Sequence, residues 1–204
     1  MFLTKKKLNL MVKLIGKNKL NIAVFISGKG TNLNNLIKFS KKKISPIKIK
    51  LVISSKKNAK GLIYAKKNNI KSLIFNFKKK LVAENKLLKI LKVKKIKIIC
   101  LAGFKTILTS KFINSFNGKI INIHPSLLPK YKGLNTHNRV IANNEKFTGC
   151  TVHFVNKKLD SGKTIIQKKI KVNKKDTIST LTKRVLKLEH QIYPKALKKI
   201  AANL

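Results

Sequence analysis

Acidic residues are the scarcest feature of this 204-residue sequence. Glu84, Glu145, Asp160, Asp176 and Glu189 are all it has, against 49 lysines and arginines, for a formal charge of +44. Arginine is rarer still: only Arg139 and Arg184 are present, so the other 47 basic residues are lysine. Such a balance ordinarily points to nucleic acid or an anionic membrane surface. These lysines, however, run through every segment without gathering on one element, and asparagine and isoleucine are abundant beside them. An A+T-biased genome writes that trio into any protein, so no specific nucleic-acid partner is expected, and weak, salt-sensitive binding to polyanions would be incidental. Long apolar runs are missing as well. Lysines interrupt every hydrophobic segment before the roughly 18 residues a membrane helix needs, which argues against a span and a membrane partner. The only cysteines, Cys100 and Cys150, fall in segments that read as buried strands, where free cysteine behaves as a small hydrophobe; they point to a reducing, cytoplasmic setting. Residues 1–20 contain no arginine, serine, acid or small-residue cleavage site, so they read as a poorly ordered basic tail and not as a targeting signal. No Pro/Gly linker and no internal repeat divides the rest, and a hydrophobic fraction of 43% suffices for the core of one domain over 21–204.

From Asn21 onward, short apolar runs alternate with lysine-rich amphipathic stretches. Strands are predicted at Asn21 to Ser27, Lys48 to Ser54, Ser72 to Phe75, Lys97 to Ala102 and Lys119 to Ile123. Helices are predicted through about Lys43, from about Ala59 to Asn69, from about Ala83 to Lys92 and from Thr109 to Phe116. Strands separated by helices of this length form right-handed βαβ units, hence a doubly wound, mostly parallel α/β sheet with helices on both faces. After Thr151 two closely spaced strands, Thr151 to Val155 and Thr164 to Val172, can pair antiparallel. A long helix from about Thr177 to Ala201 follows, its positions Leu181, Val185, Leu188, Ile192 and Leu197 forming a core-facing stripe.

Three places can carry chemistry. The turn Ser27-Gly28-Lys29-Gly30-Thr31-Asn32 lets backbone approach a ligand at a helix N-terminus, an arrangement suited to phosphate; a tight turn with Thr31 or Asn32 capping the helix is the alternative. Asn122 and His124 lie two residues apart at the carboxyl end of the fifth strand, where open α/β sheets bind ligands, and so share one face. Pro125 and Pro129 stiffen the loop beyond them; a purely structural histidine is the alternative. Asp160 precedes Ser-Gly, as turn-forming aspartates do, but an acid is unusually informative where lysine is so plentiful. A carboxylate close to His124 would raise its pKa and ready it as an acid near neutrality.

Taken together, Asn21 to Leu36 (NIAVFISGKGTNLNNL), Leu101 to Phe104 (LAGF), Ile121 to Gly133 (INIHPSLLPKYKG), Gly149 to Gly162 (GCTVHFVNKKLDSG) and Glu189 to Pro194 (EHQIYP) resemble the blocks of the phosphoribosylglycinamide formyltransferase family, in order and spacing, over about residues 21–200. The resemblance implies a single formyltransferase domain that moves a formyl group from 10-formyltetrahydrofolate, as co-substrate and without a metal, to the amine of glycinamide ribonucleotide. By position, Asn122 matches the amide that holds the developing oxyanion, His124 the general acid, and Asp160 the carboxylate that supports it. Gly30, Thr31 and Asn32 match the phosphate loop, and Glu189 a residue reaching the glycinamide or its ribose. Lys105, Thr106, Ile107 and Leu108 match the pterin-binding backbone, which Asn122 also faces. Lys80 stands where an arginine near the folate's glutamate tail is usual; lysine keeps the charge but loses the bidentate fork. Lys157 and Lys158 replace acidic or neutral positions and would lower the pKa of His124. Association of two copies is left open.

Two other readings compete. Methionyl-tRNA formyltransferase shares the catalytic residues, but it carries a further RNA-binding domain, which is not expected here, and Leu134-Asn135-Thr136-His137 looks like the ribonucleotide enzyme. A non-enzymatic polyanion-binding module would keep the fold without the joint use of Asn122, His124 and Asp160.

Overall fold

The computed structural model describes residues 19–203. Of the expected basic tail only Lys19 and Leu20 fall among them, and Leu20 already opens the first strand. Seven strands build one sheet: β1 (Leu20–Ile26), β2 (Ile47–Ser54), β3 (Ser72–Ile74), β4 (Ile98–Leu101), β5 (Lys119–His124), β6 (Phe147–Phe154) and β7 (Thr164–Lys171), in the spatial order 3-2-1-4-5-6-7. The first five strands in that order run parallel; β6 pairs antiparallel with β5, and β7 antiparallel with β6, as expected for the late strands. Six helices accompany them among the described residues: α1 (Thr31–Ser40), α2 (Leu62–Lys67), α3 (Lys80–Val93), α4 (Ser110–Ser115), α5 (Thr136–Ala142) and α6 (Ile178–Ala201). None is long and apolar enough to cross a membrane.

Strand alternation divides the core into two layers. From β1, Ile22, Val24 and Ile26 enter one cluster, which holds Leu33 and Leu36 of α1 and the stripe of α6; Ala23 and Phe25 enter the other, beneath Leu87 of α3 and Phe112 of α4. A strand buried on both faces is what a doubly wound sheet requires of its centre. Every member of the anticipated α6 stripe, Leu181, Val185, Leu188, Ile192 and Leu197, is buried, each worth roughly 1.5–3 kcal/mol against exposure. A capping box begins that helix: the Thr177 hydroxyl accepts from Thr180 N–H at 3.2 Å, and Thr177 N–H donates to the Thr180 hydroxyl at 2.9 Å. Cys100 and Cys150 are buried in β4 and β6, and burial pushes both thiols up, Cys150 to about 12.

Two elements depart from the sequence reading. Helix α5 was not anticipated because it buries only Thr136 and Val140 and so shows no stripe. Strand β6 begins four residues earlier than expected because Gly149, a residue that weakens strand signals, sits inside it; a Cβ there would lie 1.9 Å from the Lys168 carbonyl oxygen of β7.

The order 3-2-1 then 4-5 places the switch in winding direction between β1 and β4, so a crevice opens at their carboxyl ends. Ser27 follows β1 and Lys105 follows β4 across it; Lys105 N–H donates to the Ser27 hydroxyl at 2.9 Å.

Candidate active site

The glycine turn after β1 forms one half of the site. Gly30 adopts a left-handed backbone (φ 72°) as the residue preceding α1, and a Cβ on it would meet Gly61 Cα at 2.4 Å, so only glycine fits. No side chain caps this helix. Capping by Thr31 or Asn32 is therefore not what the turn is for, and the first amides of α1 are free to face an anion. Asn32 turns instead to the last helix, where its Nδ2 donates to Glu189 Oε2 at 2.6 Å. Burial pushes the Glu189 carboxyl up to about 7, against the lowering influence of that hydrogen bond.

This carries a stability consequence of definite sign. A carboxyl whose pKa is raised on folding binds its proton in the native state between about 4.5 and 7, so it costs stability as pH rises through that window, and the cost is complete above it. Glu189→Gln keeps an acceptor for Asn32 and removes the buried charge. The variant is expected to be more stable than the parent at pH 8, by roughly 2–3 kcal/mol, and indistinguishable from it at pH 4.5. Thermal melts at the two values, without ligand, check this.

The other half is a cleft of about 350 Å³ at the carboxyl ends of β4 and β5. Lys105, Thr106, Ile107 and Leu108 form one wall, Asn122, His124 and Asp160 its polar end, and the exposed side chains of Ile107, Leu134 and Leu159 give it an apolar mouth suited to a flat ligand. Lys80 does not line it; it opens α3 instead, and the lysines that do line the cleft are Lys105, Lys157 and Lys158. Gly30, Thr31, Asn32 and Glu189 also lie outside its walls, on the neighbouring ground of the glycine turn.

Asp160 is the hub. Its Oδ2 lies 3.3 Å from His124 Nδ1 and accepts from Gly133 N–H at 2.9 Å, while its Oδ1 accepts from Asn122 Nδ2 at 3.4 Å and lies 3.6 Å from His153 Nε2. Its backbone is left-handed (φ 45°), a conformation aspartate tolerates better than most residues and one that turns the side chain back into the cleft. Burial pushes this carboxyl up, but the His153 ring, the Gly133 amide and the charge of His124 together outweigh it and hold Asp160 below its ordinary value. It is an anion at neutral pH.

His124 behaves differently from the sequence expectation. Burial lowers its pKa, and the two raising influences, the Tyr131 carbonyl and Asp160, do not make up the loss. The positive neighbours that add to the lowering are His153 and Arg139; Lys157 and Lys158 are exposed, where water screens their charges. In the free protein the ring is thus neutral near pH 7, its Nε2–H donating to the Tyr131 carbonyl at 2.8 Å.

His153 and Gly133 escaped the sequence reading. His153 faces Asn122 directly across the antiparallel β5/β6 pair, and its Nε2 lies 3.3 Å from the Asn122 amide. A single polar ring in the otherwise apolar end of β6 was the available signal, but its value depended on knowing that β6 pairs with β5. Among the described residues no group of three or more His, Cys, Asp or Glu side chains is disposed to hold a metal ion.

A histidine, a carboxylate and an amide converging beside a helix N-terminus define an acyl-transfer site. The sequence pattern of the Formyl transferase family matches residues 20–197, and the chain belongs to that family. Within the family it is similar to the phosphoribosylglycinamide formyltransferase of Haemophilus influenzae, 43% identical over 87% of this chain and 85% of that one. It is likewise 41% identical over 93% of its length to the trifunctional purine biosynthetic protein adenosine-3 of Gallus gallus, of which it spans 19%. A crystal structure of phosphoribosylglycinamide formyltransferase from Anaplasma phagocytophilum superposes with a TM-score of 0.85 at 40% identity, covering 91% of this chain and 88% of that one.

Proposed function

We propose that this chain transfers the formyl group of 10-formyltetrahydrofolate to the amine of glycinamide ribonucleotide, a step of purine biosynthesis. The observation that carries the reading is the convergence of Asn122, His124 and Asp160, from β5 and the β6–β7 connection, at the polar end of one cleft. Asn122, Lys105, Thr106, Ile107 and Leu108 line the part of the cleft that would take the folate, and Lys105, Lys157 and Lys158 give its mouth the charge an anionic glutamate tail needs. Lys80 is left to meet only the outermost part of that tail. Gly30, Thr31 and Asn32 would hold the ribonucleotide phosphate, and Glu189 its ribose or glycinamide.

In the reaction the amine attacks the formyl carbon, a C–N bond forms, and the formyl oxygen becomes an oxyanion. Asn122 Nδ2 donates to it; the amide's contacts in the free protein, at 3.3 and 3.4 Å, are long and readily given up. The developing negative charge raises the pKa of the neighbouring His124 ring, so a group that is neutral when the site is empty gains its proton as the intermediate forms. The bond from the formyl carbon to the folate nitrogen then breaks, and that nitrogen takes up the proton the amine has lost, passed through His124 with Asp160 holding the ring's charge. The products are the N-formyl ribonucleotide and tetrahydrofolate.

The test is a formyl-transfer assay with glycinamide ribonucleotide, with initiator tRNA, and with no acceptor. Transfer is expected with the ribonucleotide alone. Transfer to tRNA alone would reverse the choice of acceptor, and tight polyanion binding without transfer would reduce the protein to a binding module.

A further inference from the structure

The segment that follows the catalytic strand is held in an unusual way. Three consecutive carbonyls, those of Lys130, Tyr131 and Lys132, each accept from a different side chain: Ser126 Oγ at 2.7 Å, His124 Nε2 at 2.8 Å and Arg139 Nη2 at 2.6 Å. The next backbone group, Gly133 N–H, donates to Asp160 Oδ2 at 2.9 Å. In the middle of this run Tyr131 has a left-handed backbone (φ 55°), which a residue with a large side chain rarely adopts and which persists only where its surroundings fix it.

The tyrosine side chain supplies that fixing. Its hydroxyl donates to Glu145 Oε1 at 2.9 Å and accepts from Asn143 Nδ2 at 3.0 Å, and the Arg139 guanidinium stacks 5.3 Å from the ring centre. Lys130 Nζ grips the same Glu145 oxygen at 2.9 Å, so the residues on either side of one peptide bond are tied to one carboxylate. Glu145 follows α5 and touches neither the cleft nor its ligand-facing walls.

We infer that Tyr131, anchored by Glu145, is a positioning residue for His124: the anchor sets the backbone twist that aims the Tyr131 carbonyl at Nε2, and that carbonyl keeps the ring in its Nε2–H form with Nδ1 turned to Asp160. A carbonyl only accepts, so the neutral ring can satisfy it only with a proton on Nε2, which leaves Nδ1 as the one nitrogen whose proton is exchanged during the reaction. Without the anchor the twist relaxes, the carbonyl swings away, and the ring can place its hydrogen on Nδ1 toward the carboxylate instead. A histidine with its proton already on the exchanging nitrogen cannot accept one there. The inference rests on the formyl-transfer reading for its kinetic consequence only.

The test uses full-length protein labelled with 15N in its histidine rings, compared as the parent, Tyr131→Phe, Tyr131→Gly and Glu145→Ala. Tyr131→Phe removes the hydroxyl and keeps the stacking, while Tyr131→Gly removes the anchor and retains the ability to adopt positive φ. Without substrates, at a pH where the ring is neutral, the parent should show His124 wholly as the Nε2–H tautomer. The variants should show the Nδ1–H tautomer appearing, least in Tyr131→Phe and most in Tyr131→Gly. In the transfer assay kcat should fall by about tenfold in Tyr131→Gly, with KM for both substrates within about twofold. An unchanged tautomer in all the variants, or parallel losses in kcat and KM, would overturn the inference. Should Tyr131→Gly fail to fold, Glu145→Ala, which removes the acceptor at a half-buried carboxylate, still decides it. A tautomer shift in a protein with no transfer activity would refute the proposed function and leave the positioning role standing.

Discussion

Replacing His124 with alanine is expected to lower the rate of formyl transfer by about 10²–10⁴-fold, the range a positioned proton-transfer group supplies, while the Kd for glycinamide ribonucleotide moves by no more than about threefold. The asymmetry follows from the layout of the site. The ground proposed for the phosphate, the amides at the start of α1 with Asn32 and Glu189, lies outside the walls of the cleft that holds His124. Single-turnover kinetics and calorimetric titration of the ribonucleotide separate the two quantities. Equal loss of binding and turnover would show that the ring is there to support the loop through its bond to Tyr131, and would falsify its role in the chemistry.

Asp160→Asn is expected to produce the second-largest loss, about 10²-fold or more in kcat, together with a displaced pH profile. Asparagine accepts the left-handed backbone of position 160 as readily as aspartate does, so the connection should keep its course. What disappears is the negative charge that raises the His124 pKa against the lowering effect of burial. With that support gone the ring's pKa falls further, and the neutral ring that takes the amine's proton persists into more acidic solution. The acidic limb of kcat against pH should therefore shift to lower pH in the variant. An unmoved limb would mean that the carboxylate does not act through the histidine at all.

Much of this architecture was legible because the physical signals were local. The alternation of β1 follows from five consecutive apolar residues between polar ends, and the stripe of α6 from spacings of three to five residues, and the lysines between them did not blur either pattern since they occupy outward positions. The convergence of Asn122, His124 and Asp160 was legible through family resemblance, and Asn122 with His124 also through strand alternation. His153 was not, because its meaning depends on β6 lying antiparallel to β5, a pairing across 31 residues that no short-range pattern encodes. The sign of the His124 shift was missed for a related reason: proximity of a carboxylate can be guessed from a motif, whereas burial is a property of the whole fold, and here it dominates. Lys80 was placed by correspondence alone, and the cleft wall proved to be built from other lysines.

The bond between Asn32 and Glu189 spans 157 positions, and beside it Asn35 Nδ2 reaches the His190 carbonyl at 2.8 Å over 155. The opening turn of the domain and its closing helix are thus stitched together at the very spot where the ribonucleotide would sit. No fragment lacking either end can present that spot, so occupancy is coupled to complete folding, and whatever free energy the ligand contributes is spread over the entire cooperative unit. A cell rich in this metabolite would, by mass action alone, hold a larger reserve of intact enzyme.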